Sequence, residues 1–365
     1  MINGISGHNV ANWQIPEAQV ERPEGYEGNA KDAFVRDQDR EIESERSFRQ
    51  MGELFLSKKR REKQEEPQGP SEIRHADGST EISDEPVCMF EGREGYKTDF
   101  LGIDYALPTL GDSIKDKAAH LLDAPEETVL NYNHFSLVMN KERRQCFFTA
   151  VNIDGTQLQR QGRSDNWVLD GRIAREHQLG NEAYSDNTID RGHMVRRRDP
   201  AWGTQREANL GSNDTFVYTN SGMQCEGLNQ KEWLHLEDHV LMQARGQKMT
   251  VLTGPVLSAT DRTFTNHGKI DPPTQIPEKF WKVVVWNDEQ SGQLKGAAFV
   301  LSQSDILDSS SSLFKGGFTP GEFDVYQVPI DQLEQMTDLH FAPCQDITGA
   351  AVKLSSGDNC VPQGL

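Results

Sequence analysis

The chain has 365 residues, enough for one large domain with an appendage or for two domains. Its hydrophobic share of 35% and mean hydropathy of −0.69 are low for that size, so part of it is expected to lie outside a packed core. A formal net charge of −19 counts against a protein that coats nucleic acid, but not against an enzyme with a local basic groove, because binding responds to the field at the site.

The first ten residues show no basic flank followed by an apolar run, so no secretory leader is expected. No stretch approaches the roughly 18 apolar residues of a membrane helix. On that basis the expected location is the cytoplasm, with export by a leader-independent route still compatible. The five cysteines (Cys88, Cys146, Cys225, Cys344 and Cys360) are widely spaced and lack a C-x-x-C pair. Reduced thiols are expected, although Cys344 and Cys360 are close enough in sequence to pair across a short loop.

Residues 1–94 read as a charged N-terminal extension rich in Glu, Arg, Gln, Gly and Pro. From Asp32 to Glu66 the chain is charge-dense and free of proline, with Phe48, Met51 and Phe55 at helical spacing. An exposed amphipathic helix is predicted, ending in Lys58-Lys59-Arg60-Arg61, a run that suits nucleic acid but suits a solvated helix C-terminus better. Pro67, Gly69, Pro70 and Gly78 then mark a linker.

From Gly95 the texture changes. His134–Met139 and Cys146–Asn152 are β-rich apolar runs on either side of the polar turn Asn140–Arg144, which predicts a hairpin. Trp167–Asp170 is expected as a short strand, and Lys248–Thr253 as a strong one stopped by Gly254-Pro255. Lys282–Trp286 and Lys295–Leu301 form a further pair. Between Leu228 and Arg245, the positions of Trp233, Leu236, Val240 and Leu241 predict a long helix. Tyr326–Pro329 leads into a predicted helix over Asp331–Met336. Strands, an irregular loop, a helix and more strands, with no internal repeat, indicate an α+β architecture.

Hydrolysis of a phosphodiester needs an activated water, a cation against the phosphate charge and stabilisation of the leaving oxygen. A histidine titrating near neutrality suits the first task, and a hard, oxygen-coordinated ion the others. Asp190-Arg191-Gly192-His193 follows a polar loop and precedes Arg196-Arg197-Arg198. The glycine lets backbone approach closely, and arginine forks can hold phosphates. Standing alone, such a quartet is more readily a surface ion-pair group. Downstream come Tyr218-Thr-Asn220-Ser-Gly-Met-Gln224 and Leu228-Asn229-Gln230-Lys-Glu-Trp233-Leu-His-Leu-Glu237. Asn229, taken singly, is an ordinary helix N-cap. Yet Asn229, Trp233 and Glu237 are spaced by four and share a broad helix face. The rise from Asn229 to Glu237 is about 12 Å. If Asn229 coordinates an ion through its amide oxygen, Glu237 therefore acts through water.

Together and in this order, these three segments resemble the DNA/RNA non-specific endonuclease family. His134-Phe-Ser136, Thr149–Asn152, Thr253–Val256 and Pro277–Lys282 extend the resemblance over residues 95–345, leaving 346–365 as a C-terminal tail. The resemblance implies a ββα-metal nuclease fold with a central antiparallel sheet flanked by helices, and a poorly packed N-terminal extension. It implies cleavage of DNA and RNA to 5′-phosphorylated ends, one Mg²⁺ for which Mn²⁺ can substitute, and roles for named residues. By its motifs His193 is the general base, Asn229 the protein ligand of the ion, and Glu237 a partner of the ion's waters. Asn220, Asp190 and Arg191 complete the site. Arg163, upstream of the motif, together with Arg196 and Arg197, is expected at the substrate phosphates.

Two departures stand out. His193 and Asn229 are 36 residues apart (229 − 193), an excess placed within Arg196–Gly211, and Ser221-Gly222-Met223 replaces a proline-containing turn. Both bear on loop geometry and substrate preference. Two other readings remain open at this stage: a silent nuclease-like fold that binds nucleic acid or protein, and a phosphodiesterase for small nucleotides. Residues 1–94 are expected to dock a regulatory protein partner or to restrain the enzyme, with a plain flexible tail as the alternative. A homodimer is compatible with the sequence.

Overall fold

The computed structural model describes residues 87–162, 166–225, 232–303, 325–349 and 352–354. The helix expected within Asp32–Glu66, its linker, Arg163, Asn229 and Cys360 lie outside them. The chain divides into two compact units, residues 1–81 with 364, and residues 82–363 with 365. Only the second contains described residues.

In chain order the strands are β1 Thr109–Leu110, β2 Val129–Tyr132, β3 Phe135–Asn140, β4 Gln145–Asp154, β5 Ile189–His193, β6 Ser221–Cys225, β7 Lys248–Val256, β8 Arg262–Phe264, β9 Thr274–Ile276, β10 Lys279–Asp288, β11 Gln293–Ser302, β12 Val325–Val328, β13 Leu339–His340, β14 Gln345–Asp346 and β15 Val352–Leu354. Three α-helices accompany them: α1 Gln205–Asp214, α2 Glu232–Gln243 and α3 Ile330–Thr337. None of the described helices is long and apolar enough to cross a membrane. The main sheet runs β15-β12-β11-β10-β7-β4-β3-β2, antiparallel throughout, with β14 added parallel to β11.

The central strands are apolar on both faces because both faces are covered. Along β10, Phe280, Val284 and Trp286 enter one core, while Trp281, Val283 and Val285 enter the other. The first core also takes Leu236, Val240 and Leu241, so these positions of the predicted stripe on α2 pack on that side of the sheet. Its packed unit includes residues ahead of Gly95. Phe90 is buried edge-on to Tyr132 at 5.1 Å, and Arg93 Nε donates to buried Asp214 at 2.7 Å.

The expected hairpin is β3–β4, whose turn ends on Arg144 at positive φ. Three expectations differ. Trp167–Asp170 forms no continuous strand, only isolated bridge residues at Val168, paired with Val217, and at Asp170, whose carboxylate is held by Tyr132 and Arg172. Strand β7 continues through Gly254-Pro255. Pairing with β4 ends at Thr253, whereas pairing with β10 runs on to Val256, so the missing proline N–H falls where one neighbour has already left. Gly254 is required there, because a Cβ would meet the Phe147 carbonyl oxygen at 2.4 Å. Finally, α1 starts within Arg196–Gly211, the stretch expected to hold the excess length, where no helix was predicted. Thr204 caps it, accepting from Glu207 N–H, while the Glu207 carboxylate accepts from Thr204 N–H.

Candidate active site

Strands β5 and β6 form a two-stranded ribbon with His193 opposite Ser221, Gly192 opposite Gly222 and Asp190 opposite Gln224. Helix α1 is inserted between the two strands, and helix α2 follows β6. Alternation along β5 puts Arg191 and His193 on one face and Asp190 and Gly192 on the other. The contacts agree. The Trp167 ring lies 4.8 Å from the His193 ring, and the Arg191 guanidinium lies over it at 5.9 Å. Phe216 meets His193 edge-on at 5.0 Å. The Arg191 guanidinium also lies over Tyr184 at 5.8 Å, and its Nη2 donates to Asn181 Oδ1 at 2.8 Å.

The opposite face explains the glycine. A Cβ on Gly192 would sit 1.9 Å from Gln224 Oε1, and Gln224 is fully buried with neither end of its amide hydrogen-bonded among the described residues. A Gly192→Ala variant is expected to lose about 1–3 kcal/mol of stability. It is also expected to lower cleavage by roughly 10²-fold, because a shift of about 1 Å in β5 misplaces His193. Thermal melts and plasmid nicking measure the two effects.

Asn220 is fully buried, and its side chain is spent on backbone. Its Oδ1 accepts from Val195 N–H at 2.8 Å, and its Nδ2 donates to the Val195 and Thr215 carbonyls at 3.0 and 2.9 Å. It clamps the chain immediately after His193. Asp190 is half-buried, on the strand face away from His193.

A buried charge network lies against α2. Arg196, expected at the phosphates, is turned inward: it pairs with Asp238 and sits 3.8 Å from Glu237 Oε2, with 14% of its side chain exposed. Lys282, from the middle of β10, is buried, donates to Thr253 Oγ1 at 2.9 Å and lies 3.9 Å from Glu237 Oε1. Burial pushes the Glu237 carboxyl up to about 7 against the pull of Lys282 and Arg196. Burial also raises Asp199, opposed by Lys282, Arg196 and Arg198, and lowers Lys282, opposed by Glu237 and Asp199. Arg197 Nη1 donates to the Gln161 and Gly162 carbonyls at 3.0 and 3.3 Å, tying down the loop that leads to residue 163.

The structure thus brings His193 and Arg191 together on one ribbon face, with Glu237 buried between two cations of the network below α2. Sequence reasoning passed over Trp167, Lys282 and Asp199 as site residues. Lys282 left a readable signal, a single cation inside the apolar run Phe280–Trp286. Trp167 left none, because its partners are dozens of residues away.

Residues 119–346 match the family model for DNA/RNA non-specific endonucleases. The chain belongs to that family, whose members are metal-dependent hydrolases of phosphodiester bonds. It is 37% identical over 277 residues to an uncharacterized protein, y4fB, of Sinorhizobium fredii (strain NBRC 101917 / NGR234), an alignment covering 70% of this chain and 40% of that protein. The chain therefore spans less than half the length of this relative. Among solved structures, the crystal structure of the EndoG/EndoGI complex matches with a TM-score of 0.45 and 19% identity, over 59% of this chain and 85% of that one.

Among the described residues, no group of three or more His, Cys, Asp or Glu side chains could hold a metal. What they offer is Glu237, whose buried Oε1 has no hydrogen-bond partner among them. A carboxylate oxygen of this kind fits the water shell of a hard cation better than direct ligation by a soft one.

Proposed function

We propose that this domain is an endonuclease cleaving DNA and RNA with little sequence preference, with His193 as general base and Mg²⁺ held by Asn229. The observation that carries the reading is the pairing of His193 and Arg191 on one face of β5, both against Trp167. His193 takes the proton of the attacking water, and its neighbours Trp167 and Phe216 limit the ring's freedom. Arg191, tethered to Asn181, presents positive charge to the phosphate that the water attacks. Glu237 would hold water of the ion's shell, and Arg196 and Lys282 keep its carboxyl in place. Mg²⁺, when held by Asn229, would supply positive charge against the phosphate and the departing 3′ oxygen. Asn220 and Asp190 support the ribbon rather than the chemistry. Arg197, with Arg163 next to the Gly162 carbonyl that Arg197 holds, provides contacts for flanking phosphates.

The test is digestion of supercoiled plasmid and of single-stranded RNA by the full chain, with Mg²⁺, Mn²⁺ or EDTA. Both substrates should be cut in either ion and neither in EDTA. Asn229→Ala should lower the Mg²⁺-dependent rate by roughly 10²-fold or more, since a metal supplies several kcal/mol at the transition state. Tight binding of plasmid with no cleavage in either ion would instead make the fold a binding module.

A further inference from the structure

Trp167 belongs to no strand and lies outside the motifs that define the family resemblance. Its place is set by one residue. Val168 N–H donates to the Phe216 carbonyl at 3.0 Å, and Tyr218 N–H donates to the Val168 carbonyl at 2.9 Å. That single bridge threads Trp167 between the residues leading into β6 and the face of β5 that carries Arg191 and His193. Its ring then meets Phe216 edge-on at 5.5 Å, Tyr218 at 5.7 Å and His193 at 4.8 Å, with 54° between the Trp167 and His193 planes. The Arg191 guanidinium lies over the same ring. Trp167 thus touches both motif residues. It is also only half-buried, packed at the margin of the core instead of within it.

We infer that Trp167 is a positioning residue for hydrolysis: with Phe216 it forms an aromatic slot that sets the plane of the His193 imidazole, and it couples that plane to the Arg191 guanidinium. The inference rests on the assignment of His193 as base. A ring edge or face beside an imidazole restricts rotation about the last side-chain torsion, which is otherwise broad. A general base works only when its nitrogen points at the proton it takes, so loss of the slot lowers turnover without weakening capture of substrate.

The experiment uses the full chain with Mg²⁺ and plasmid DNA. Trp167→Leu should lower kcat by about 10- to 10²-fold with KM changed by no more than about twofold. Trp167→Phe, which restores a ring, should recover most of the loss. A second measurement removes the base itself. His193→Gly leaves the slot empty, and added imidazole should restore part of the activity, whereas the double variant Trp167→Leu/His193→Gly should show no such rescue. A rise in KM with unchanged kcat would overturn the proposal, since Trp167 would then be contacting nucleic acid. Equal rescue with and without the ring would overturn it as well. If Trp167→Leu does not fold, Trp167→Met keeps the apolar volume without a ring plane and is judged by the same criteria. His193→Ala is run in parallel. Full activity there defeats the assignment of the base, whereas an inactive His193→Ala beside a fully active Trp167→Leu defeats only the slot.

Discussion

Replacing His193 by alanine lowers the turnover of plasmid cleavage by about 10²–10⁴-fold while the protein melts close to the wild-type temperature. The catalytic half of this expectation follows from the place of the imidazole, on the same ribbon face as Arg191. The stability half follows from its surroundings. His193 is half-buried and touches Trp167 and Phe216 as one ring among several, so its removal leaves the aromatic cluster otherwise in place. The Asn220 clamp on Val195 also acts through backbone and is untouched. A large fall in melting temperature would make His193 a structural residue. Retention of full activity in Mg²⁺ would remove it from the mechanism.

Lys282→Met is expected to cost about 3–5 kcal/mol of stability above pH 7, because breaking a buried pair from one side leaves an uncompensated carboxylate. In a domain of this size that corresponds to a fall of roughly 10 °C in Tm. The cost should shrink towards pH 5, and the sign follows from Glu237. Its folded carboxyl titrates at about 7, above the unfolded value near 4.5, so the folded state binds the extra proton between these limits. Stability from that proton is complete below about 4.5 and is lost as pH rises through 7. Without Lys282 the ionised form loses one of its two cations, whereas the protonated form loses little. The double variant Lys282→Met/Glu237→Gln should therefore regain most of the stability at pH 8, a coupling that a double-mutant cycle in EDTA would measure. Equal losses at pH 5 and pH 8 would show that Lys282 contributes packing alone.

How much of this was legible in one dimension depends on the range of the interaction. The β3–β4 hairpin, the β10–β11 pair and the apolar stripe of α2 follow periodicities written within a dozen residues, and the structure contains them. The capping box Thr204–Glu207 was equally local, and it was the signal for α1, which starts in the stretch read only as holding the excess length. Strand β7 was read too short because Gly254-Pro255 looks like a stop. Its continuation depends on which neighbour is still paired at that point. Arg196 sits in a basic run that suits phosphates, yet it is turned inward to Asp238 and Glu237, forty residues away.

By itself the sequence determined the chemistry on offer: a histidine after Asp190-Arg191-Gly192, an asparagine and a glutamate at helical spacing, and enough alternating apolar residues for an antiparallel sheet. These are local patterns, and local patterns are what a chain can state without folding. Only the tertiary structure decided which charges are buried, which ring faces His193, and that Asn220 holds backbone instead of facing outward. Burial and ring contact depend on segments far apart in sequence. The Glu237 carboxyl owes its raised pKa first to burial under the layer of sheet and helix that closes over it, with Asp199 and the adjacent Asp238 adding to it.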